Sequence, residues 1–409
     1  MAELFHYSVL LPWVIGMIFG IFVGATPGLT ATMAVALIVP VSFHLEPNAG
    51  LALIIGVSFT AIFAGDIPAT FLRIPGTPAS AAATLDGYPL ARKGKGPFAL
   101  TLDLLCSCAG GLVGVVLLML LAPQLARVAL KFSNFEYFWL GLLGLSISAL
   151  VSQKSLWRGL LAAVLGLLLA TVGEDIVSGK QRYVFGSMEL MSGISFIPAM
   201  IGLFGLSEVL RSCFGRSEAE GAAMEVQGGT APLVEGTFAL WKHKFLCLKS
   251  AVVGTLIGAL PGAGADIAAW GAYGLARKTS KQPETFGQGA EEGVVAPTSA
   301  NNAAVAGAWI PALIFGVPGD AVTAIVLGAL TMYGIKPGPL IFEQSGGQVQ
   351  SILWIAFFTQ FLLLVCGLVG IRVFSRLLRL RKGLVMAGVL VFSIVGSYAL
   401  NNSFFDVGV

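Results

Sequence analysis

Charge is what this 409-residue chain has least of: 11% of its residues are Asp, Glu, Lys or Arg, while 56% are hydrophobic. Soluble domains carry roughly 25% charged residues, so a water-facing surface cannot be covered and a soluble globular fold is excluded. The net charge of +3 is too small to suggest a nucleic-acid partner. The three histidines are dispersed, which argues against a metal constellation. The five cysteines (106, 108, 213, 247 and 366) make no CxxC pair, and Cys106 and Cys108 lie in an apolar run where packing explains them. HExxH, GxSxG and P-loop patterns are all missing. No enzyme activity and no organic cofactor are expected. A signal peptide is not expected either: only Glu3 and His6 precede the first apolar run, 9–26, so it lacks a basic leader and belongs to the mature fold.

What the chain has is long apolar runs, at 98–123, 135–151, 156–173, 195–210, 350–371 and 383–400. A helix needs about 20 such residues to cross a bilayer. The expected class is an all-α polytopic membrane protein.

Two phrases occur twice. Residues 20–34 laid on 254–268 repeat Gly20, Gly24, Ala25, Pro27, Gly28, Ala31 and Ala34 at a constant offset. "IPATFLRIPG" (67–76) matches "IPALIFGVPG" (310–319). Two phrases in the same order predict two related halves, 1–212 and 240–409, joined by a polar linker over 213–239. After its second phrase the first half has about four spans and the second about two, so the second repeat reads as incomplete by about two spans.

Charge suggests how the halves lie. Short cytoplasmic loops collect Lys and Arg. "WKHKFLCLK" and "ARKTSK" flank the first phrase of the second half, whereas Glu3, His6 and "SFHLEPN" flank that of the first. Each phrase then enters and leaves on one side, with Pro-Gly at the turn, and the two halves are upside down relative to each other. "ARKGKG" (91–96), "QKSLWR" (153–158), the 211–249 linker and "RVFSRLLRLRK" (372–382) fall inside on this count; Arg127 and Lys131 oppose it. Inverted-topology repeats with broken, re-entrant helices are a transporter arrangement, with substrate held where the breaks meet.

Glycine at every fourth position (16, 20, 24, 28 and 254, 258, 262) is also what close helix packing in lipid requires. Packing alone does not explain Pro27 before Gly28 or Pro261 before Gly262, since proline removes a donor and glycine permits a bend. Broken backbone at membrane depth is tolerated only where it is buried or lines a cavity, and a restarting helix points partly positive N–H groups there. Pro75-Gly76 and Pro318-Gly319 supply the second pair of breaks. Thr30, Thr32, Thr77 and Ser80 follow the first-half breaks. Asp266 and Asp320 occupy the positions matching Thr32 and Thr77. A membrane-embedded acid suits Na⁺ or a proton, or it caps a helix. Asn301 and Asn302, read as standing where a polar loop enters an apolar run, suit a carboxylate or an ion, or serve as an N-cap. Glu291 and Glu292 read as a solvated edge. Asp66 and Arg73, seven apart, could pair; alternatively Arg73 meets an anionic substrate or snorkels to the interface.

"GATPGLTATMAVAL", "IPGTPASAAATLDGYPLARKG", "PGAGADIAAW", "FGQGAEEGVVAP.SANNAA" and "VPGDAVTAIVLGAL…GIKPGP" resemble the large membrane subunit of the tripartite tricarboxylate transporters, from about residue 16 to the C-terminus. The resemblance implies a multi-pass secondary transporter of the bacterial inner membrane. Its partners would be a small membrane subunit and a periplasmic solute-binding protein, and its substrates citrate-like carboxylates or other small organic anions. It places family weight on Pro27, Gly28, Thr30, Pro75, Gly76, Thr77, Pro261, Gly262, Gly264, Asp266, Asn301, Asn302, Pro318 and Gly319. The chain departs from the family pattern at Asp66, Arg73, Thr298 and Asp320. The expectation is an ion-coupled carboxylate importer. Substrate would lie among the four breaks with Thr32, Ser80, Asn301 and Asn302 beside it. Na⁺ or H⁺ would be held by Asp266 and Asp320, with Thr30 and Thr77 as hydroxyl ligands. A passive anion channel or facilitator and a non-transporting scaffold are the alternatives.

Overall fold

A computed structural model describes residues 2–26, 29–151, 156–175, 178–207, 209–210, 231–377 and 382–408. Pro27, Gly28, Cys213 and positions 213–230 of the expected linker lie outside them. Among the described residues the regular secondary structure is helical apart from one small ribbon, in which Gly173–Glu174 pairs antiparallel with Gln181–Arg182. Tyr7–Gly24, Pro47–Leu72, Ser80–Ala129 and Gly346–Val373 are each long and apolar enough to cross a membrane. The all-α expectation holds.

The first half contributes α1 (Tyr7–Gly24), α2 (Ala31–Ser42), α3 (Pro47–Ala64), α4 (Asp66–Leu72), α5 (Ser80–Leu90), α6 (Gly96–Ala129), α7 (Asn134–Val151), α8 (Leu156–Ala170) and α9 (Phe196–Met200). The second contributes α10 (Ala231–Lys242), α11 (Lys244–Gly258), α12 (Gly264–Thr279), α13 (Glu291–Phe315), α14 (Ala321–Met332), α15 (Ile341–Gln344), α16 (Gly346–Leu377), α17 (Lys382–Asn401) and α18 (Phe404–Gly408). The last part of the expected linker, 231–239, is therefore helical. α5 runs into α6 through the basic stretch Ala91–Lys95, where Gly94 takes a left-handed φ of 79°. A side chain would be strained at that position.

α3 and α13 form the centre. Both lack a solvent face over most of their length: they are buried on every side over Ala49–Ala64 and Gly293–Ile314, α13 with Thr298, Ser299, Asn301 and Asn302 among its buried residues. By contrast α8 buries none of its residues, and Trp157, Leu161, Val164 and Leu165 stand exposed. In a bilayer that face meets acyl chains, so its exposure carries no hydrophobic cost.

The glycine ladders face the central helices. A Cβ on Gly16, Gly20 or Gly24 of α1 would overlap the carbonyls of Leu53, Val57 and Ala61 on α3. A Cβ on Gly254 or Gly258 of α11 would overlap those of Ala300 and Ala304 on α13. Small residues thus let backbones touch, as packing without a hydrophobic driving force requires. Gly110 and Gly114 of α6 approach Ser299 and Ala303 of α13 in the same way, which locks the two halves together. Trp13 adds a buried link, its indole Nε1 donating to Thr359 Oγ1 of α16 at 3.0 Å.

The sequence repeat recurs at the level of contacts. Gly20 meets Val57 where Gly254 meets Ala300, and Gly24 meets Ala61 where Gly258 meets Ala304. Gly76 lies on the Gly24 carbonyl, and Gly319 lies on that of Gly258. The Ile74 N–H donates to Pro68 O at 3.4 Å, and the Val317 N–H donates to Pro311 O at 3.3 Å. Arg73 and Gly316 are both left-handed, at φ 58° and 66°. Each pair differs by the offset that its phrase has in the sequence.

Candidate functional site

All the expected breaks that are described interrupt helices. α1 ends at Gly24; Thr30 caps α2, its Oγ1 accepting the Met33 N–H at 3.2 Å. α11 ends at Gly258, and the chain turns through Gly262 (φ 79°) and Gly264 (φ 61°) into α12. These left-handed conformations explain why glycine stands at both. α4 closes on Arg73, and the Gly76 N–H donates to Gly65 O at 3.1 Å before α5 begins at Ser80. α13 closes on Gly316, and Asp320 caps α14.

Three breaks converge. Asp320 lies against Gly264, 3.0 Å from where a Cβ there would sit. The Asp266 carboxylate lies close to Asp320 and to Ala79 at the start of α5, and α12 packs on α5. Next to Ala79, the Ser80 hydroxyl is 2.7 Å from that of Thr77, both buried. Residues 76–80 of the first half and 262–266 and 319–320 of the second therefore share one region. Pro75 projects outward, Pro261 is buried, and Pro318 is half-buried. Thr32, in the first turn of α2, is half-buried. Thr30 is occupied with its own helix, so its placement shows a capping role.

Asp320 caps as well. Its Oδ1 accepts the Thr323 N–H and O–H, both at 2.7 Å, and the Thr323 hydroxyl closes a reciprocal box. The capping alternative for Asp320 is thus met, with Oδ2 left over. Asp266 stands at the third position of α12 and is not the cap, which is Ala263.

Two expectations are corrected. Asn301 and Asn302 are not at a membrane entry and cap nothing: α13 begins ten residues earlier, at Glu291, and both amides are fully buried in it. The polar stretch before them is helical because its small residues let α13 pack closely on α6 and α11. Asp66 and Arg73 do not pair. α4 ends between them, and the left-handed Arg73 turns its guanidinium outward over the Tyr88 ring, 5.6 Å from the centroid. Asp66 instead faces inward, where Asn301 Nδ2 donates to its Oδ2 at 3.4 Å. Glu291 is less solvated than expected, since Lys242 Nζ and His243 Nε2 reach its Oε2 at 2.8 and 3.0 Å.

Two acids were not anticipated. Asp103 of α6 is buried beside Asp66 and accepts from Ser107 Oγ at 3.2 Å. Asp86 of α5 ties the halves together. Its Oδ1 accepts the N–H groups of Gly287, Gly289 and Ala290 at 2.9, 2.8 and 2.8 Å, and its Oδ2 accepts the Tyr273 hydroxyl at 2.9 Å. The only sequence signal was low: each is a lone acid inside an apolar run.

A helical membrane protein with paired helix breaks gathered around buried hydroxyls and acids belongs to the solute-transporter class of architectures. Residues 10–409 match the tripartite tricarboxylate transporter TctA family, and the chain belongs to that family. It is 35% identical over 403 residues to a protein of Agrobacterium vitis described as an uncharacterized 52.8 kDa protein in the TAR-I ttuC′ 3′ region; the match covers 96% of this chain and 78% of that one. A second Agrobacterium vitis protein, described as uncharacterized and in the TAR-II ttuC′ 3′ region, is 35% identical over 154 residues, covering 38% of this chain and 64% of its own. No solved structure matches.

Proposed function

We propose that this chain is the large membrane subunit of an ion-coupled secondary transporter of the bacterial inner membrane. It imports tricarboxylates or related small organic carboxylates together with a small membrane subunit and a periplasmic solute-binding protein. The observation that carries the reading is the convergence of the α5, α12 and α14 starts, within a chain of this family. Helix N-termini offer N–H groups and a partial positive charge of about half an elementary unit to an anion. On this reading the halves 1–212 and 240–409 are inverted repeats. The matched contacts of Gly24 with Ala61 and Gly258 with Ala304 support the repeat, and the Lys and Arg distribution supports the inversion.

Substrate lies against Gly76, Thr77 and Ser80 on one side and Gly262, Gly264 and Gly319 on the other. Asp266 is the principal ligand for the coupling cation, Na⁺ or H⁺, with Asp320 Oδ2 and the Thr77 hydroxyl beside it. Two carboxylates at one site repel each other unless a cation lies between them, so cation arrival would make the region hospitable to an anion. The test is uptake of labelled carboxylate by cells expressing this chain with the small subunit and the binding protein. The expected result is uptake that stops when any one component is omitted. Uptake that persists without the binding protein would favour a passive facilitator.

A further inference from the structure

Asp66, Asp103 and Asn301 lie together between α4, α6 and α13, each no more than 2% exposed. Asn301 Nδ2 reaches Asp66 Oδ2, Ser107 Oγ reaches Asp103 Oδ1, and Ser80 and Asp103 are the other side-chain neighbours of Asp66. That leaves Asp66 Oδ1, Asp103 Oδ2 and Asn301 Oδ1 buried without a hydrogen-bond partner. All three are acceptor oxygens. Among the described residues the ion pairs of Lys, Arg and His go to Asp175, Glu291 and Glu292, and none goes to Asp66 or Asp103.

Buried carboxylates need a counter-charge, because removing them from water costs several kcal/mol per ion. Buried carbonyl and carboxylate oxygens also need a donor or a cation, and most native ones have it. Water would satisfy the lone pairs but not the charge. A divalent ion asks for six or more oxygen ligands in all. We infer that Asp66, Asp103 and Asn301 form a buried monovalent-cation site, occupied by Na⁺ or by a proton shared between the two carboxyl groups. The site is separate from Asp266 and Asp320, although Ser80 links the regions: its hydroxyl bonds Thr77 and adjoins Asp66. Cys106 and Cys108 of α6 are the other titratable groups that feel Asp103, and Cys247 of α11 adjoins Cys106. The inference concerns binding and does not rest on the transport reading.

The test uses the purified full-length chain in detergent. Binding of ²²Na⁺ and the melting temperature in NaCl against choline chloride are measured for the wild type, Asp66→Asn, Asp103→Asn and Asp266→Asn. The infrared carboxyl band is recorded for each in the same preparations. Occupancy by Na⁺ predicts saturable binding and an Na⁺-dependent rise in melting temperature for the wild type. Affinity should fall ~10-fold or more in Asp66→Asn and in Asp103→Asn and be retained in Asp266→Asn. Occupancy by a proton predicts no such Na⁺ effect, but a protonated-carboxyl band that disappears in Asp66→Asn or Asp103→Asn. The wild-type Na⁺ shift and carboxyl band need no variant to fold. A wild type showing neither overturns the inference, as does an Na⁺ effect that only Asp266→Asn removes.

Discussion

Replacing Asp86 by alanine is the most informative single perturbation of how the two halves are held together. One carboxylate oxygen gathers three backbone N–H groups from 287–290, and the other takes the Tyr273 hydroxyl. A hydrogen bond to a charged group contributes about 1.5–3 kcal/mol, and an orphaned buried donor costs a further 1–3 kcal/mol. Three donors sharing one oxygen are not additive, and the 287–290 segment is only part-buried, so water recovers some of the loss. The expected cost of Asp86→Ala is therefore ~3–4 kcal/mol. Asp86→Asn keeps Oδ1 as an acceptor but loses the charge and the acceptor for the Tyr273 hydroxyl, which must turn to accept from the amide instead, so ~1–2 kcal/mol is expected. The assay is amide hydrogen exchange of a peptide covering 286–291 in detergent-solubilised protein, with apparent melting temperature alongside. A 3 kcal/mol loss in local opening free energy corresponds to roughly 100-fold faster exchange, and Asp86→Asn should fall between Ala and the wild type. Exchange in Asp86→Ala within about threefold of the wild type would refute the clamp.

Other outcomes follow from the same contacts. Gly258→Val drives a side chain into the Ala304 carbonyl and should cost ~3 kcal/mol or more in apparent stability; Gly274→Ala, where a Cβ meets nothing within 4 Å, should leave the melting temperature unchanged or slightly raised. Arg73→Gly should shift stability by less than about 1 kcal/mol, because relief of the left-handed strain offsets the lost stacking on Tyr88, whereas Arg73→Val should cost ~2 kcal/mol. Both would be read as melting midpoints, and uptake retained in Arg73→Gly would separate that residue from substrate binding. Asp266→Asn should abolish the dependence of uptake on a cation gradient while leaving the protein folded; uptake that still follows the gradient removes Asp266 from the coupling role.

The elements visible in the sequence were those with a periodic or punctuating signal. Glycine at every fourth position marked the α1 and α11 faces, and Pro-Gly marked the helix ends. A constant offset within each phrase, relating Gly24 to Gly258 in the first and Gly76 to Gly319 in the second, anticipated matching contacts. What stayed hidden depends on partners far along the chain. Asp86 finds its donors two hundred residues on, and Asp103 matters because α6 lies against α4 and α13. Asn301 was misplaced because small residues such as Ala296, Ser299 and Ala300 read as loop, although tight helix packing demands them. The Asp66–Arg73 spacing would suit one face of a continuous helix, but the left-handed residue ends the helix and turns Arg73 away.

The central claim is cation-driven import of a carboxylate through this chain. The measurement that meets it most directly is uptake of labelled citrate into proteoliposomes containing the chain, its small subunit and its binding protein, with and without an inward Na⁺ or proton gradient. The account predicts accumulation above the external concentration only when a gradient and the binding protein are both present, with a panel of other carboxylates measured alongside. Equilibration of every carboxylate to the external concentration, unaffected by gradient or binding protein, would contradict it and identify a passive route.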